Sequence, residues 1–279
     1  MTVRGALVLS VFLCIGLAYA RSDDREKVAE GRYQNLSNGI LSKDTQHTWV
    51  LWQTATGYEI EDDFVEPDQF AYRLFQTMGA DGGLPMSPEL RRQIQSSAVP
   101  DHLEMELGSS LQIVGMRLEG KQLHGNTAKI VTILECKNSQ SEIKCKGMKG
   151  NPKLKTKDAR EFFYSFSFPM LFGSLVSESR KTLQHPDTIR MVNVSFDSHQ
   201  QPQISELDTE IEYMGQDDVH IFDKQFRVGK YSVRMSPKHE ESSAYLIWAS
   251  SDGLVLAVEA SKLPGTRQVL VDYKKHLDF

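Results

Sequence analysis

A mainly β protein is what this sequence predicts: one large, curved antiparallel sheet, an open half-barrel, with one or two short helices. Three observations carry that expectation. Strand-like runs of alternating or β-branched residues recur at short intervals from residue 47 to the end. The gaps between them hold turn-forming Gly, Asn, Asp and Ser instead of helical segments, which favours hairpins over βαβ units. Few stretches carry helical signals.

Residues 21–45 begin charged and carry little pattern. They read as an exposed lead-in to a single β domain over 46–279. Thr48–Thr54 and Tyr58–Val65 alternate like strands around the turn Ala55-Thr56-Gly57. Gln69–Met78 fits helical spacing through Phe70, Leu74 and Met78, although its aromatic content suits a strand. Gly79-Ala80-Asp81-Gly82-Gly83 breaks the chain. Ser87 then caps a helix with Pro88 at its first position, running to Ser97 and stopping before Pro100. Strands are expected over Ser110–Leu118, Asn126–Lys137 and Glu142–Met148.

Asp158–Ser179 is the most apolar stretch after the N-terminus, and Pro169 divides it. A strand ending near Phe168 and a helix over Pro169–Arg180 follow, because proline is tolerated in a first helical turn. The last third reads as a meander, with strands over Thr188–Phe196, Leu207–Met214, Val219–Met235, Ala244–Ser250, Leu254–Ala260 and Arg267–Lys274. Gly215-Gln216-Asp217-Asp218, Val228-Gly229-Lys230 and Ser251-Asp252-Gly253 are turn or bulge signals within it.

The N-terminus adds a compartment. Arg4 precedes an apolar run over 5–17, and Ala18-Tyr19-Ala20 is a small-x-small cleavage site. A signal peptide over 1–20 predicts an exported chain beginning at Arg21, periplasmic or secreted. The run is shorter than the roughly 20 apolar residues a membrane span needs, and no second long run follows, so the mature chain has no expected transmembrane segment. Two cysteines then remain, Cys136 and Cys145. They stand symmetrically about Gln140-Ser141, so a hairpin with that tip places them directly opposite. Opposed β-carbons lie about 4.5–5.5 Å apart, slightly beyond disulfide spacing, and a small twist closes the gap. A disulfide is the favoured reading, with free thiols or half a metal site as alternatives.

The net charge of -5 with interspersed signs leaves no footprint for nucleic acid. Lys144, Lys146, Lys149, Lys153, Lys155 and Lys157 make one locally basic stretch. It reads as a solvated hairpin and loop, or as a contact with an anionic surface.

A resemblance emerges near the C-terminus. Tyr245-Leu246-Ile247-Trp248-Ala249-Ser250-Ser251-Asp252-Gly253-Leu254-Val255-Leu256-Ala257 is followed by Val269-Leu270-Val271-Asp272-Tyr273-Lys274-Lys275. Together with the signal peptide, long strands and one apolar helix, this W-x-x-x-D-G-L hairpin resembles uncharacterised bacterial periplasmic proteins. These are related in shape to the lipoprotein-carrier (LolA-like) half-barrels. The match covers under a quarter of the chain and is a pattern of structure. It implies an unclosed sheet with a helix in its concave face, where the carriers hold acyl chains. No carrier motif residue can be placed here, so no site follows from it.

Candidate chemistry is sparse. The G-x-S-x-G elbow of serine hydrolases is absent, and Gly173-Ser174 lacks the second glycine. Asp217, Asp218, His220 and Asp223 could hold a metal or an acid/base pair, or form a polar turn entering a strand. Glu59, Glu61, Asp62, Asp63 and Glu66 offer oxygens to calcium without the D-x-D-x-D-G loop. Asn35-Leu36-Ser37 and Asn193-Val194-Ser195 match the glycosylation pattern. Phe166, Phe168, Leu171, Phe172 and Leu175 could line an apolar ligand cavity or fill the core. The leading expectation is therefore a non-catalytic extracytoplasmic protein that binds or shields a hydrophobic or lipid-like ligand, with no cofactor. An envelope scaffold or interaction module with a solid core, and a hydrolase with a dispersed site, are the alternatives.

Overall fold

The computed structural model describes residues 25–65, 89, 98–108, 113–124, 127–139, 142–155, 161–164, 187–196, 201–221, 224–237, 242–251, 253–262 and 264–277. They form a single 15-stranded sheet. The first wing holds β1 (Glu26–Ser37), β2 (Ile40–Thr54), β3 (Gly57–Val65), β4 (Ala98–Leu107), β5 (Ile113–His124), β6 (Thr127–Ser139), β7 (Glu142–Gly147) and β8 (Lys153–Lys155). The second holds β9 (Glu161–Tyr164), β10 (Asp187–Phe196), β11 (Pro202–Ile221), β12 (Lys224–Pro237), β13 (Ser243–Ala249), β14 (Val255–Ala260) and β15 (Thr266–Lys275).

The wings meet where β1 pairs with β15, and each runs outward through sequence neighbours to an edge, β8 or β9. Every pairing is antiparallel except β9 with β10, which is parallel. The sheet is open but strongly curled. A Cβ placed on Gly147 at the end of β7 would lie 2.9 Å from the ring of Pro202 at the start of β11.

The alternation that marks a half-buried strand explains most elements. On β3, Ile60, Asp62 and Phe64 face inward. On β7, Ile143 and Cys145 are buried while Lys144 and Lys146 are exposed. The main core packs Tyr33, Trp49, Leu103, Leu118, Leu134 and Tyr231 from strands of both wings. Cys136 and Cys145 stand directly opposite, with Cα atoms 4.0 Å apart, and are joined by a disulfide.

The expected strands on either side of 55–57, through 142–147 and across most of the final third are present, but the single strand expected over Val219–Met235 is divided between β11, which ends at Ile221, and β12, which begins at Lys224. Two further expectations are corrected, and one strand, β4, was not foreseen. Residues 26–37 are no exposed lead-in but the central strand β1, with Tyr33 fully buried. Their pattern is faint because the inward positions are Ala29, Gly31 and Tyr33. Gly31 must lack a side chain, since a Cβ there would stand 2.6 Å from the Trp49 indole. Strand β4 begins at Ala98 and passes through Pro100, where a register shift absorbs the proline. Gly215 is a bulge with φ 106° inside a continuous β11, not a break between strands. The helices expected over 87–97 and 169–180 fall outside the described residues, apart from the single helical Glu89. Among the described residues no helix is long and apolar enough to cross a membrane.

Candidate ligand-binding cavity

Strands β11 and β12 are longer than their neighbours allow. Pairing of β10 with β11 ends at Asp187↔Ile211, and pairing of β12 with β13 starts at Gly229↔Ala249. Among the described residues, 217–221 and 224–228 therefore pair only with each other, as a two-stranded arm, while 212–216 pair with 229–232 at its root. The bulge at Gly215 lies near the root of the arm.

The arm has its own apolar anchor. Val219, Ile221 and Val228 are buried with Trp248, Leu256, Ala257 and Val269 in a second, smaller core. Trp248, Ala257 and Val269 are aligned across β13, β14 and β15. Trp248 Nε1 donates to Asp217 Oδ2 at 3.1 Å, and Lys230 Nζ lies 3.2 Å from the same oxygen. These two contacts, the indole bond first, hold the Asp217 carboxyl below the usual carboxylate range.

Between this arm and the sheet lies a cavity of about 1260 Å³. It sits at the seam of the two cores: Tyr231 and Leu270 come from the main one, Ile221, Val228 and Leu256 from the second. Tyr213 at the root of the arm and Phe226 on it add aromatic wall and stay partly open to solvent. Lys224 and Arg227 line the arm side and Asp272 the sheet side. Arg227 Nε donates to Gln216 Oε1 at 2.9 Å, which fixes the guanidinium across the arm. Gly229 leaves room for the Tyr231 ring, which a Cβ there would meet at 2.8 Å. The result is a largely apolar space with a few charged groups on its walls, the usual make-up of a small-molecule site.

Tyr273 links this cavity to a polar spot in the main core. Its ring lies 6.1 Å from that of Trp49. Trp49 stands opposite Asp62 on β3, and Asp62 Oδ2 lies 2.8 Å from His47 Nδ1, both residues almost wholly buried. His47 stacks on Phe64 with ring centroids 5.6 Å apart. Burial raises the Asp62 carboxyl, against the opposing pull of His47. Tyr33 is pushed well above the ordinary tyrosine value, by burial first and then by Asp62. Its hydroxyl donates to Val255 O at 2.8 Å. A His–Asp pair of this kind orients an imidazole, but the Tyr33 proton is committed to the backbone and offers no nucleophile.

The acidic run of β3 is divided by strand alternation. Asp62 points inward, while Glu59 and Glu61 share the opposite face. There Arg25 Nη1 lies 2.6 Å from an oxygen of each. Glu59, Glu61 and Glu104 bring three carboxylates together, and the guanidinium already supplies the positive charge a cation would bring. Asp63 pairs instead with His102.

Of the other residues singled out by sequence, Asp218 and His220 are exposed on β11 opposite Arg227 and Gln225, whereas Asp217 is the latch to Trp248. Asn193 is buried within β10. Phe166, Phe168, Leu171, Phe172, Leu175, Ser174 and Asp223 lie outside the described residues. The cavity residues Tyr213, Phe226 and Tyr231 went unnoticed. Their one sequence signal was the pair of turn-or-bulge glycines, 215 and 229, inside an unusually long strand-like stretch.

The sequence matches no family model and no curated protein. Its fold is similar to that of a β-barrel-like protein of a domain of unknown function, DUF1849, from Brucella abortus. That match has 12% identity, covers 91% of this chain and 100% of that one, and has a TM-score of 0.51. A hypothetical lipoprotein, YmcC, from Escherichia coli K12 is matched at 11% identity over 69% of this chain and 98% of that one, with a TM-score of 0.26. The first likeness is one of fold alone. The second score is too low to argue from.

Proposed function

We propose that this chain is an exported, non-catalytic protein that binds a hydrophobic or lipid-like ligand beneath the arm of β11 and β12. The cavity of about 1260 Å³ carries the reading. It is large enough for an extended apolar chain, and each methylene it removes from water contributes roughly 0.8 kcal/mol. The charged groups on its walls suit a ligand with a polar end. The disulfide fits an oxidising compartment, as the signal peptide does. The resemblance to the lipoprotein carriers points the same way. The aromatic stretch with Phe166, Phe168, Leu171, Phe172 and Leu175 is proposed as a further apolar wall.

Titration with a fluorescent fatty acid, alongside native mass spectrometry and lipid extraction of protein from its own compartment, tests this. Saturable binding that Ser251→Trp blocks at the cavity wall, with the thermal melt unchanged, is the expected result. Phe172→Leu tests the further wall and should lower affinity more than stability. Absence of saturable binding by the wild type would put the scaffold reading in front.

A further inference from the structure

The locally basic stretch becomes a defined surface once the strands are paired. Lys137 on β6 stands directly opposite Lys144 on β7, which stands directly opposite Lys153 on β8. Neighbouring strands are about 4.8 Å apart, so three ammonium stems line up across roughly 10 Å of one face. Lys146 and Lys155 flank the row in register with Glu135 and Glu142. All five lysines are exposed. Lys137 reaches Glu135 at 3.3 Å and Lys144 reaches Glu142 at 3.0 Å, so five cations share two acids on this face. The Glu142 carboxyl is held below its usual range, by Lys144 first and with Lys153 and Lys155 adding to the pull.

Like charges directly opposite in a sheet oppose its pairing. Lysine on an edge strand is a common guard against aggregation, and β8 is an edge. That role needs no row extending two strands inward. Here the opposite face of the same hairpin carries the disulfide, which holds β6 and β7 together against the repulsion. The arrangement stands out in a chain of net charge -5. Beside it, Met148 projects from the turn after β7 with 42% of its surface exposed.

We infer that the outer face of β6, β7 and β8 docks on an anionic lipid bilayer. The surface is the outer face of three neighbouring strands. Its charges are lysines, which act as compact point charges, and not the planar forks that read single phosphates. Met148 supplies an apolar side chain to enter the headgroup layer at the border of the basic row. This docking is independent of the cavity.

Co-sedimentation of the mature protein with vesicles of equal parts phosphatidylglycerol and phosphatidylcholine, and with pure phosphatidylcholine, is the test. The wild type should bind only the anionic vesicles and be released by high salt. The triple variant Lys137→Gln, Lys144→Gln, Lys153→Gln should bind about a hundredfold less tightly. Its thermal stability should be retained or raised, because repulsion is removed. Lys129→Gln, Lys262→Gln, Lys274→Gln changes net charge equally and should bind like the wild type. No binding of the wild type to anionic vesicles would overturn the proposal. Equal loss in both triple variants would overturn it too, assigning any attraction to net charge alone. Retention on an anionic polysaccharide without vesicle binding would make the row a glycan surface instead.

Discussion

Trp248 donates its indole hydrogen to Asp217, and that bond joins the arm of β11 and β12 to a strand with which the arm shares no ladder. Lys230 and Arg267 both lie over the Trp248 ring, 5.2 and 4.5 Å from its centroid, so the indole is held by charge as well as by packing. Replacing Asp217 by Ala leaves the indole donor and Lys230 without their acceptor. The expected cost is about 1–2 kcal/mol in chemical denaturation, typical of a hydrogen bond to a charged group that is partly solvated. Amides of Val219 and Val228 should exchange hydrogen faster, since the arm then opens more often. Unchanged exchange at both would show that apolar contact alone seats the arm.

The disulfide closes a short loop, with nine positions separating its cysteines. Cys136→Ala with Cys145→Ala should lower stability by about 2–3 kcal/mol, the lower half of the usual range, because short loops lose less chain entropy on closure. Denaturation of the double variant beside the oxidised wild type measures it. Thiol quantification in denatured, non-reduced protein should find none of the two.

His102 faces Glu104 at 3.7 Å and Asp63 at 2.8 Å. Glu104 and then Asp63 hold its imidazolium, against the opposing effect of partial burial, and raise its pKa from 6.5 to about 9. The folded value lies above the unfolded one. The stabilisation is therefore complete below pH 6.5 and is lost as the pH rises through about 9. The His102 ring protons should titrate near that value by NMR, and His102→Gln should flatten the stability profile across the window. A midpoint at the ordinary histidine value would remove this account.

Gly31→Ala places a methyl group against the Trp49 indole, with Cζ2 2.6 Å and Nε1 2.9 Å from the new carbon. A loss of about 1–3 kcal/mol is expected for this overpacking. Combining it with Trp49→Phe should recover part of the loss, since the smaller ring frees the space. If the two changes simply add in thermal melts, the contact is not what constrains position 31.

Most of the meander of the last third was legible because its strands alternate and Gly253 marks a turn, but nothing between Ile221 and Lys224 signals a turn, so 219–235 read as one strand. The disulfide was legible because Cys136 and Cys145 lie at equal distances from one polar tip. Strand β1 was not, since two of its inward positions, Ala29 and Gly31, are small and its outward Glu30 and Arg32 are charged. The burial of Asp62 could have been read from parity, because it shares the phase of Ile60 and Phe64, but the charge of its neighbours obscured it. The cavity was out of reach. It exists because Asp217 and Trp248 meet across 31 positions, and nothing local to either residue announces that meeting.

The seam between β1 and β15 also governs the order of assembly. The strand that joins the two wings, β15, follows all the other described strands in the sequence, with Ala29 waiting for Lys275. Until Thr266–Lys275 has been made, a nascent chain holds two half-sheets, each with a bare edge where the seam will form. Such chains fold slowly through contacts distant in sequence and are prone to wrong edge pairing. A circular permutant that links the neighbouring ends and opens between β8 and β9, the two edges of the sheet, turns the β1–β15 pair into a hairpin between sequence neighbours. It breaks no strand pair, and it should fold faster to the same sheet.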